Sequence, residues 1–277
     1  MRVLILGCGP SGLAAAQAAL DFGADPFIIS KTDRPSMLYG CQYLHEPIPG
    51  YENVPSTTVS YALIGTPDQY REKVYGDKWT GKVSPEDFVG EHNAWDIRET
   101  YSRLWADLIG SGRISLFVRG EITEGWIPTA MGPPPFLIIS SIPAPAMCTK
   151  RSVHGFYSHA IFANGTTNEE PIHGNAILCD GTDAHSWYRI SNVFGYRTIE
   201  WAKLPPPGTI AANVIKPLRT DCDCYPSVLR VGRYGTWDKS YLVHKVYGDV
   251  ISALRATQSP AEYVADYLDE RKGPWRM

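Results

Sequence analysis

The hexapeptide Gly7-Cys8-Gly9-Pro10-Ser11-Gly12 constrains this chain more than any other stretch. It follows residues 2–6, a short apolar run of the kind that forms a parallel strand buried on both faces. It opens residues 13–21, where Ala14, Ala15, Ala16, Ala18 and Ala19 favour helix, and Gly23 marks that helix's end. Residues 26–30 read as a second strand. A G-x-G-x-x-G turn in such a βαβ unit has a mechanical reading. Gly7 permits the tight turn, Gly9 lets the backbone approach a pyrophosphate, and Gly12 allows close helix–strand packing. The helix N-terminus offers amides and partial positive charge to the phosphates. Gly7, Gly9, Pro10, Ser11 and Gly12 are therefore cofactor-binding candidates, and the expected fold is α/β, a Rossmann-like three-layer dinucleotide-binding fold. The bland alternative is a glycine-rich turn in an ordinary α/β domain.

The end of the second strand departs from the usual pattern. A carboxylate is expected there for the adenosine ribose, yet the chain reads Ile29-Ser30-Lys31. Ser30 offers one hydrogen bond to a ribose. Lys31, with Arg34, suits a 2′-phosphate and so NADP; otherwise both are solvated charges.

Beyond this start, residues 51–83 have weak periodicity and read as an insertion or lid. Ser84-Pro85-Glu86-Asp87 reads as a helix start. Ile97, Tyr101, Leu104, Trp105, Leu108 and Ile109 recur at helical spacing, with Gly110 and Gly112 closing the helix and a strand at 114–118. Residues 126–175 read as proline-jointed β-structure, with strands at 136–142 and 158–162 and a hairpin turn at Asn164-Gly165. Residues 176–179 form a short strand, 186–227 look irregular, and 228–231 form another strand before a turn. Trp187, Tyr188 and Trp201 are candidates to stack on a ring-shaped substrate, with core packing as the plainer role. Helices are expected at 240–256 and from Ser259 onward. The expected organisation is a single dinucleotide-binding domain, 1–277, with insertions at about 46–95 and 186–227 forming a substrate or cap region.

A net charge of −3 over 277 residues gives no polyanion-binding surface to expect. A nucleic-acid partner is thus unsupported, though a local basic groove would be compatible with the total. No membrane span is expected. Six scattered cysteines in so large a chain suit a reducing, cytoplasmic compartment. Cys222-Asp223-Cys224 lacks the second ligand pair of a closed zinc site, so no metal is expected.

The wording Gly-x-Gly-Pro-Ser-Gly-Leu resembles the opening of FAD-binding flavoproteins of the glutathione-reductase type. The resemblance continues in the loop to Ile48-Pro49-Gly50 and in Glu121-Ile122, which stands where that family's backbone meets adenine. The β-rich 126–175 stands where the family has an antiparallel β-meander. Residues 176–182 stand in for the family's apolar strand ending in Ala-Thr-Gly. Gly232-Arg233-Tyr234-Gly235 stands in for the Gly-Asp turn near the ribityl phosphate. The short length and divergent motifs are also similar to compact flavoprotein-like oxidoreductases of phages. The resemblance implies FAD, with Gln42, Tyr43, Leu44, Ile122, Asp180, Gly181, Gly232, Arg233 and Tyr234 near it. It puts residues 39–45 beside the flavin, with Cys41 as a redox thiol and His45 as a general acid–base group. The bland readings are a buried apolar cysteine and a packed loop histidine. One dinucleotide fingerprint, with no second, leaves no separate nicotinamide domain to expect. The expected function is an FAD-dependent oxidoreductase acting on a small or nucleotide-like substrate, with amine or C–N oxidation in view. An NADP-dependent reductase and a non-catalytic nucleotide-binding protein are the alternatives.

Overall fold

The computed structural model describes residues 1–76, 85–119, 136–165 and 172–258. Its first sheet is built from β1 (Arg2–Leu6), β2 (Asp25–Ser30), β5 (Ser115–Val118), β6 (Phe136–Ser140) and β12 (Val228–Arg230). The sheet is wholly parallel and ordered β12-β6-β1-β2-β5. The chain starts in the middle, moves outward through β2 and β5, then returns to β1's other side. That reversal makes a switch point between the carboxyl ends of β1 and β6, where ligands bind in sheets of this kind.

Val3, Ile5, Ile28 and Ile139 point to one face, under α1 (Pro10–Asp21), α3 (Ile97–Trp105) and α6 (Lys245–Gln258). The alternate residues Leu4, Leu6 and Ile29 point to the other, against Met147 of α4 (Ala144–Met147). The alanines of α1 are buried, which lets that helix sit close to the strands. Asp96 caps α3 by accepting from the Arg98 and Glu99 amides, and Ile97, Tyr101 and Leu104 turn inward at the spacing expected. One further turn, Ala106–Gly110, continues as π-helix.

The second sheet is built by two excursions from the first. Between β2 and α3 the chain contributes β3 (Ser56–Ile64), α2 (Pro67–Tyr75) and β4 (Gly90–Trp95). Between β6 and β12 it contributes β7 (Phe156–Ala163), β8 (Ala176–Asp180), β9 (Arg189–Val193), β10 (Tyr196–Trp201) and β11 (Ala212–Thr220). The strand order is β11-β7-β10-β9-β8-β3-β4. β3 and β8 pair in parallel and fuse the two excursions into one sheet.

Several sequence expectations are corrected here. Residues 51–83, with their weak periodicity, carry β3 and α2, and residues 186–227, read as irregular, carry β9, β10 and β11. Their pattern is diluted in the sequence because strands such as β3 bury one face and show Ser and Thr on the other. Residues 136–140 are the fourth parallel strand, not part of a meander, whereas residues 176–180 lie in the second sheet, not in the Ala-Thr-Gly position. Both are five-residue apolar runs, and such runs do not say which sheet they join. Asn164 does take a left-handed φ of 62°, but β7 pairs with β11 and β10, so no hairpin to β8 forms there. Pro85–Phe88 is a 3₁₀ turn, and Gly232–Thr236 is a one-turn helix, α5. Ser84, Ile122 and the helix expected from Ser259 lie outside the described residues. Among the described residues no helix is long and apolar enough to cross a membrane.

Candidate active site

The switch point gathers the glycine loop, the end of β6 and the start of α5. Gly7 has φ +96°, and a Cβ there would lie 2.6 Å from Ser141 Oγ. A Cβ on Gly12 would lie 2.0 Å from the Gly7 carbonyl oxygen, so the helix can approach the turn only with glycine. Gly232, at φ +71°, would meet Ser11 Oγ at 2.1 Å. These contacts seat Gly232 on Ser11 and join the first loop to the last strand's turn. Gly9 is different. Its φ of −70° suits any residue, and a Cβ there meets nothing within 4 Å. α1 begins with Pro10, has no side-chain cap and has no acid in its first turn, so no side chain of the helix start satisfies its leading amides.

Ser30 is buried, with Oγ 2.9 Å from Cys8 Sγ and accepting from the Thr32 amide at 3.4 Å. Its hydroxyl is thus committed to bracing the glycine loop. Lys31 and Arg34 are exposed just past β2. So is Asp33, a carboxylate with no place in the sequence pattern because it stands beyond the strand's end. Tyr101 ties this corner together, donating to the Cys8 carbonyl at 2.9 Å and accepting from the Ser36 amide at 3.0 Å.

Residues 38–45 are pinned from several sides. Arg98 donates to the Leu38 and Gly40 carbonyls, Gly40 donates to Asn164 Oδ1, and Gln42 Nε2 donates to the Tyr39 carbonyl. Leu44 exchanges both backbone hydrogen bonds with Trp95. The Tyr43 and Tyr61 hydroxyls are 2.7 Å apart. His45 lies with its ring 4.8 Å from Tyr43 and 5.9 Å from His244. Burial lowers the His45 pKa, and His244, His92 and Arg233 push the same way, so its imidazole is neutral at pH 7 and able to take a proton. Burial pushes the Cys41 thiol up, against a downward pull from Arg189. A thiol held protonated suits packing better than redox chemistry.

The loop rests on a charged cluster that sequence reasoning missed. Glu200 of β10 is fully buried. It accepts from Arg189 at 2.5 and 2.6 Å, from Lys216 at 2.8 Å, from the Tyr188 hydroxyl and from the Cys41 amide at 2.8 Å. Burial opposes ionisation, but Arg189 and Lys216 outweigh it and hold the carboxyl well below the usual range. Burial takes Lys216 down to about 8, with Glu200 opposing. Arg233 adds its charge to both Lys216 and His45. It has no carboxylate within ion-pair distance among the described residues. Arg189 and Lys216 thus share Glu200, while Arg233 feels Asp238 only at longer range, and the net positive character of this cluster suits an anionic group of a bound molecule. Tyr234 donates to the Ile215 carbonyl and fastens α5 to this sheet.

The structure places Asp180 and Gly181, expected near the cofactor, at the end of β8 in the second sheet. Asp180 is buried at the end of β8, accepting from the Thr182 amide and hydroxyl and lying 2.7 Å from His185 and 3.4 Å from Lys73. A Cβ on Gly181 would meet the Tyr70 amide nitrogen at 2.4 Å, so this glycine serves the packing of α2. Both belong to the second sheet's own architecture. Trp187, Tyr188 and Trp201, the candidate ring-stacking residues, are buried in its core.

No protein-family model matches the chain, and no curated protein matches it by sequence. Solved structures do. A triple mutant of the flavin-dependent brominase Bmp2 superposes with a TM-score of 0.55 at 10% identity, over 98% of this chain and 83% of that one. The 2,6-dihydroxypyridine-3-hydroxylase of Arthrobacter nicotinovorans gives 0.54 at 11% identity, over 95% and 85%. CmlS, a flavin-dependent halogenase, gives 0.51 at 14% identity, over 95% and 60%. The matched lengths take in both sheets. The chain thus has the two-sheet, Rossmann-like fold of these enzymes.

Proposed function

We propose that this chain is an FAD-dependent oxidoreductase, related to flavoproteins of the glutathione-reductase type, acting on a small anionic or neutral substrate. The observation that carries the reading is the cradle at Gly9. Nothing in the protein requires glycine there, yet the space beside it is open, at the start of a helix that has no side-chain cap and no acid in its first turn. A pyrophosphate fits that space and explains the residue. Gly7, Gly9, Pro10, Ser11, Gly12 and Gly232 would hold the dinucleotide, and residues 42–45 would border its ring. When bound, the flavin supplies a two-electron redox centre.

The chain's own residues supply position and protons. Arg189, Lys216 and Arg233 orient an anionic group such as a carboxylate or phenolate, and His45 accepts a proton. An ammonium substrate would be opposed by the same cations, which turns the reading away from amine oxidation. Lys31 and Arg34, exposed past β2, favour a second reading, an NADP-dependent reductase. The absorption spectrum of the purified protein decides between them. Flavin bands that bleach with dithionite, with FAD released on heating, are expected. A colourless protein that ignores FAD and binds NADPH would establish the second reading, and one that binds a nucleotide without turnover would be non-catalytic.

The site also predicts a pH profile. Activity should rise as His45 loses its proton below the usual histidine range, then fall as Lys216 loses its proton near 8. The alkaline limb arises because one of the three cations disappears and anion binding weakens. Lys216→Arg keeps the charge, so the limb near 8 should vanish in that variant. An unchanged limb would remove Lys216 from substrate binding.

A further inference from the structure

Apart from the cofactor crevice, the fold brings together four potential metal ligands far apart in sequence. We infer that Cys148, His154, Cys222 and Cys224 form a closed structural zinc site that ties together the two chain crossings between the sheets. The ligand atoms all lie within 4.8 Å of one another. Tetrahedral zinc, with bonds of about 2.3 Å to sulfur and about 2.0–2.1 Å to nitrogen, requires edges of about 3.8 Å between sulfurs and about 3.5 Å from sulfur to nitrogen. Here Cys148 Sγ is 3.9 Å from Cys224 Sγ, and His154 Nδ1 is 3.4 Å from Cys148 Sγ and 3.6 Å from Cys224 Sγ. Unconstrained side chains have no reason to take up these three edges together.

The surroundings complete the case. The far nitrogen of His154, Nε2, faces Asp223 Oδ1 at 3.5 Å, the carboxylate–histidine arrangement that orients metal-binding imidazoles. Each sulfur has a hydrogen-bonding neighbour. The Lys150 amide donates to Cys148 at 3.3 Å, the Thr149 hydroxyl lies 3.3 Å from Cys224, and Arg230 donates to Cys222 at 3.4 Å. Three thiolates around Zn²⁺ leave one negative charge, which the Arg230 guanidinium offsets. Arg230 also donates to the Cys222 and Cys224 carbonyls, so the C-x-C turn is already shaped around it.

Topology gives the site its purpose. Cys148 and His154 lie on the crossing from β6 of the first sheet to β7 of the second, and Cys222 and Cys224 lie on the return from β11 to β12. One ion would clamp both crossings and set how the sheets meet. With four protein ligands and no open position, its role is structural. The inference stands whether or not the flavin reading holds.

The test is elemental analysis of the full-length protein purified without chelator, followed by cobalt substitution. About one zinc per chain is expected. Cobalt should give the intense visible bands and near-ultraviolet thiolate charge transfer of a tetrahedral sulfur–nitrogen site. Cys224→Ser and His154→Ala should lose the metal, and Cys41→Ser, outside the cluster, should keep it. If the cluster variants do not fold, the wild type decides. A strong chelator should lower its melting temperature, and zinc should restore it. A Cys148–Cys224 disulfide, or wild-type protein that takes up neither zinc nor cobalt, would overturn the site.

Discussion

Replacing Gly9 with phenylalanine abolishes FAD binding and leaves the fold intact; that is the expected result, and its two halves have separate causes. The fold survives because Gly9 sits at φ −70° and a Cβ there has no neighbour within 4 Å, so the side chain enters open space. Binding fails because that space is where the pyrophosphate must lie. Losing two charge-assisted hydrogen bonds to the α1 amides, at about 1.5–3 kcal/mol each, weakens affinity by roughly 10²–10⁴-fold. Gly12→Ala is the contrasting variant. Its Cβ would fall 2.0 Å from the Gly7 carbonyl oxygen, a backbone collision that neither partner can relieve cheaply. It should lower the melting temperature before it affects the ligand. Flavin content after gel filtration and the melting temperature without FAD, measured on both variants, read the two effects separately. Full flavin content in Gly9→Phe would sink the pyrophosphate assignment.

The contrast between these glycines also shows what the sequence can reveal. The βαβ start was legible because its constraints are local: a left-handed turn, a close helix and a capless N-terminus all fall within about one motif's length. The assignment of strands to sheets was not. Residues 136–140 and 176–180 look alike as apolar runs, and only their endings differ. Ser141 lets β6 close on the glycine turn by donating to the Leu6 and Gly7 carbonyls, whereas Asp180 is absorbed by Thr182, His185 and Lys73. The charged cluster was illegible for a related reason. Glu200 meets residues 11 and 16 positions away and also an amide 159 positions away, through pairings set by the second sheet. The four candidate zinc ligands were hidden likewise, since Cys224 meets Cys148 and His154 across 76 and 70 residues. The C-x-C invites a metal reading by itself, but its missing ligand pair comes only from the fold.

The buried cluster carries the second large effect. Glu200→Ala should cost about 3–5 kcal/mol, the range for removing one partner of a buried ion pair. That is a large part of the roughly 5–15 kcal/mol that holds a typical domain folded. The loss arises because Arg189 and Lys216 remain in the sheet without their counter-ion. The sign with pH follows from Glu200's depressed pKa. Its contribution is present above the ordinary carboxylate value and is lost only as pH falls through the still lower folded value. Wild type and Glu200→Ala should therefore differ by a steady margin through mildly acidic pH and converge in strong acid, while above that range the margin narrows, because Lys216 without Glu200 sheds its proton at lower pH than in the wild type. A triple variant, Glu200→Leu with Arg189→Met and Lys216→Met, separates stability from function. Apolar replacement of Glu200, Arg189 and Lys216 should recover most of the lost stability, while the Cys41 amide stays unpaired and two of the three anion-binding charges are gone. Stability should return in urea titrations and turnover should not. If the triple variant recovers activity as well, the cluster is a structural clasp for the loop carrying His45, and the substrate's anionic group must be held elsewhere.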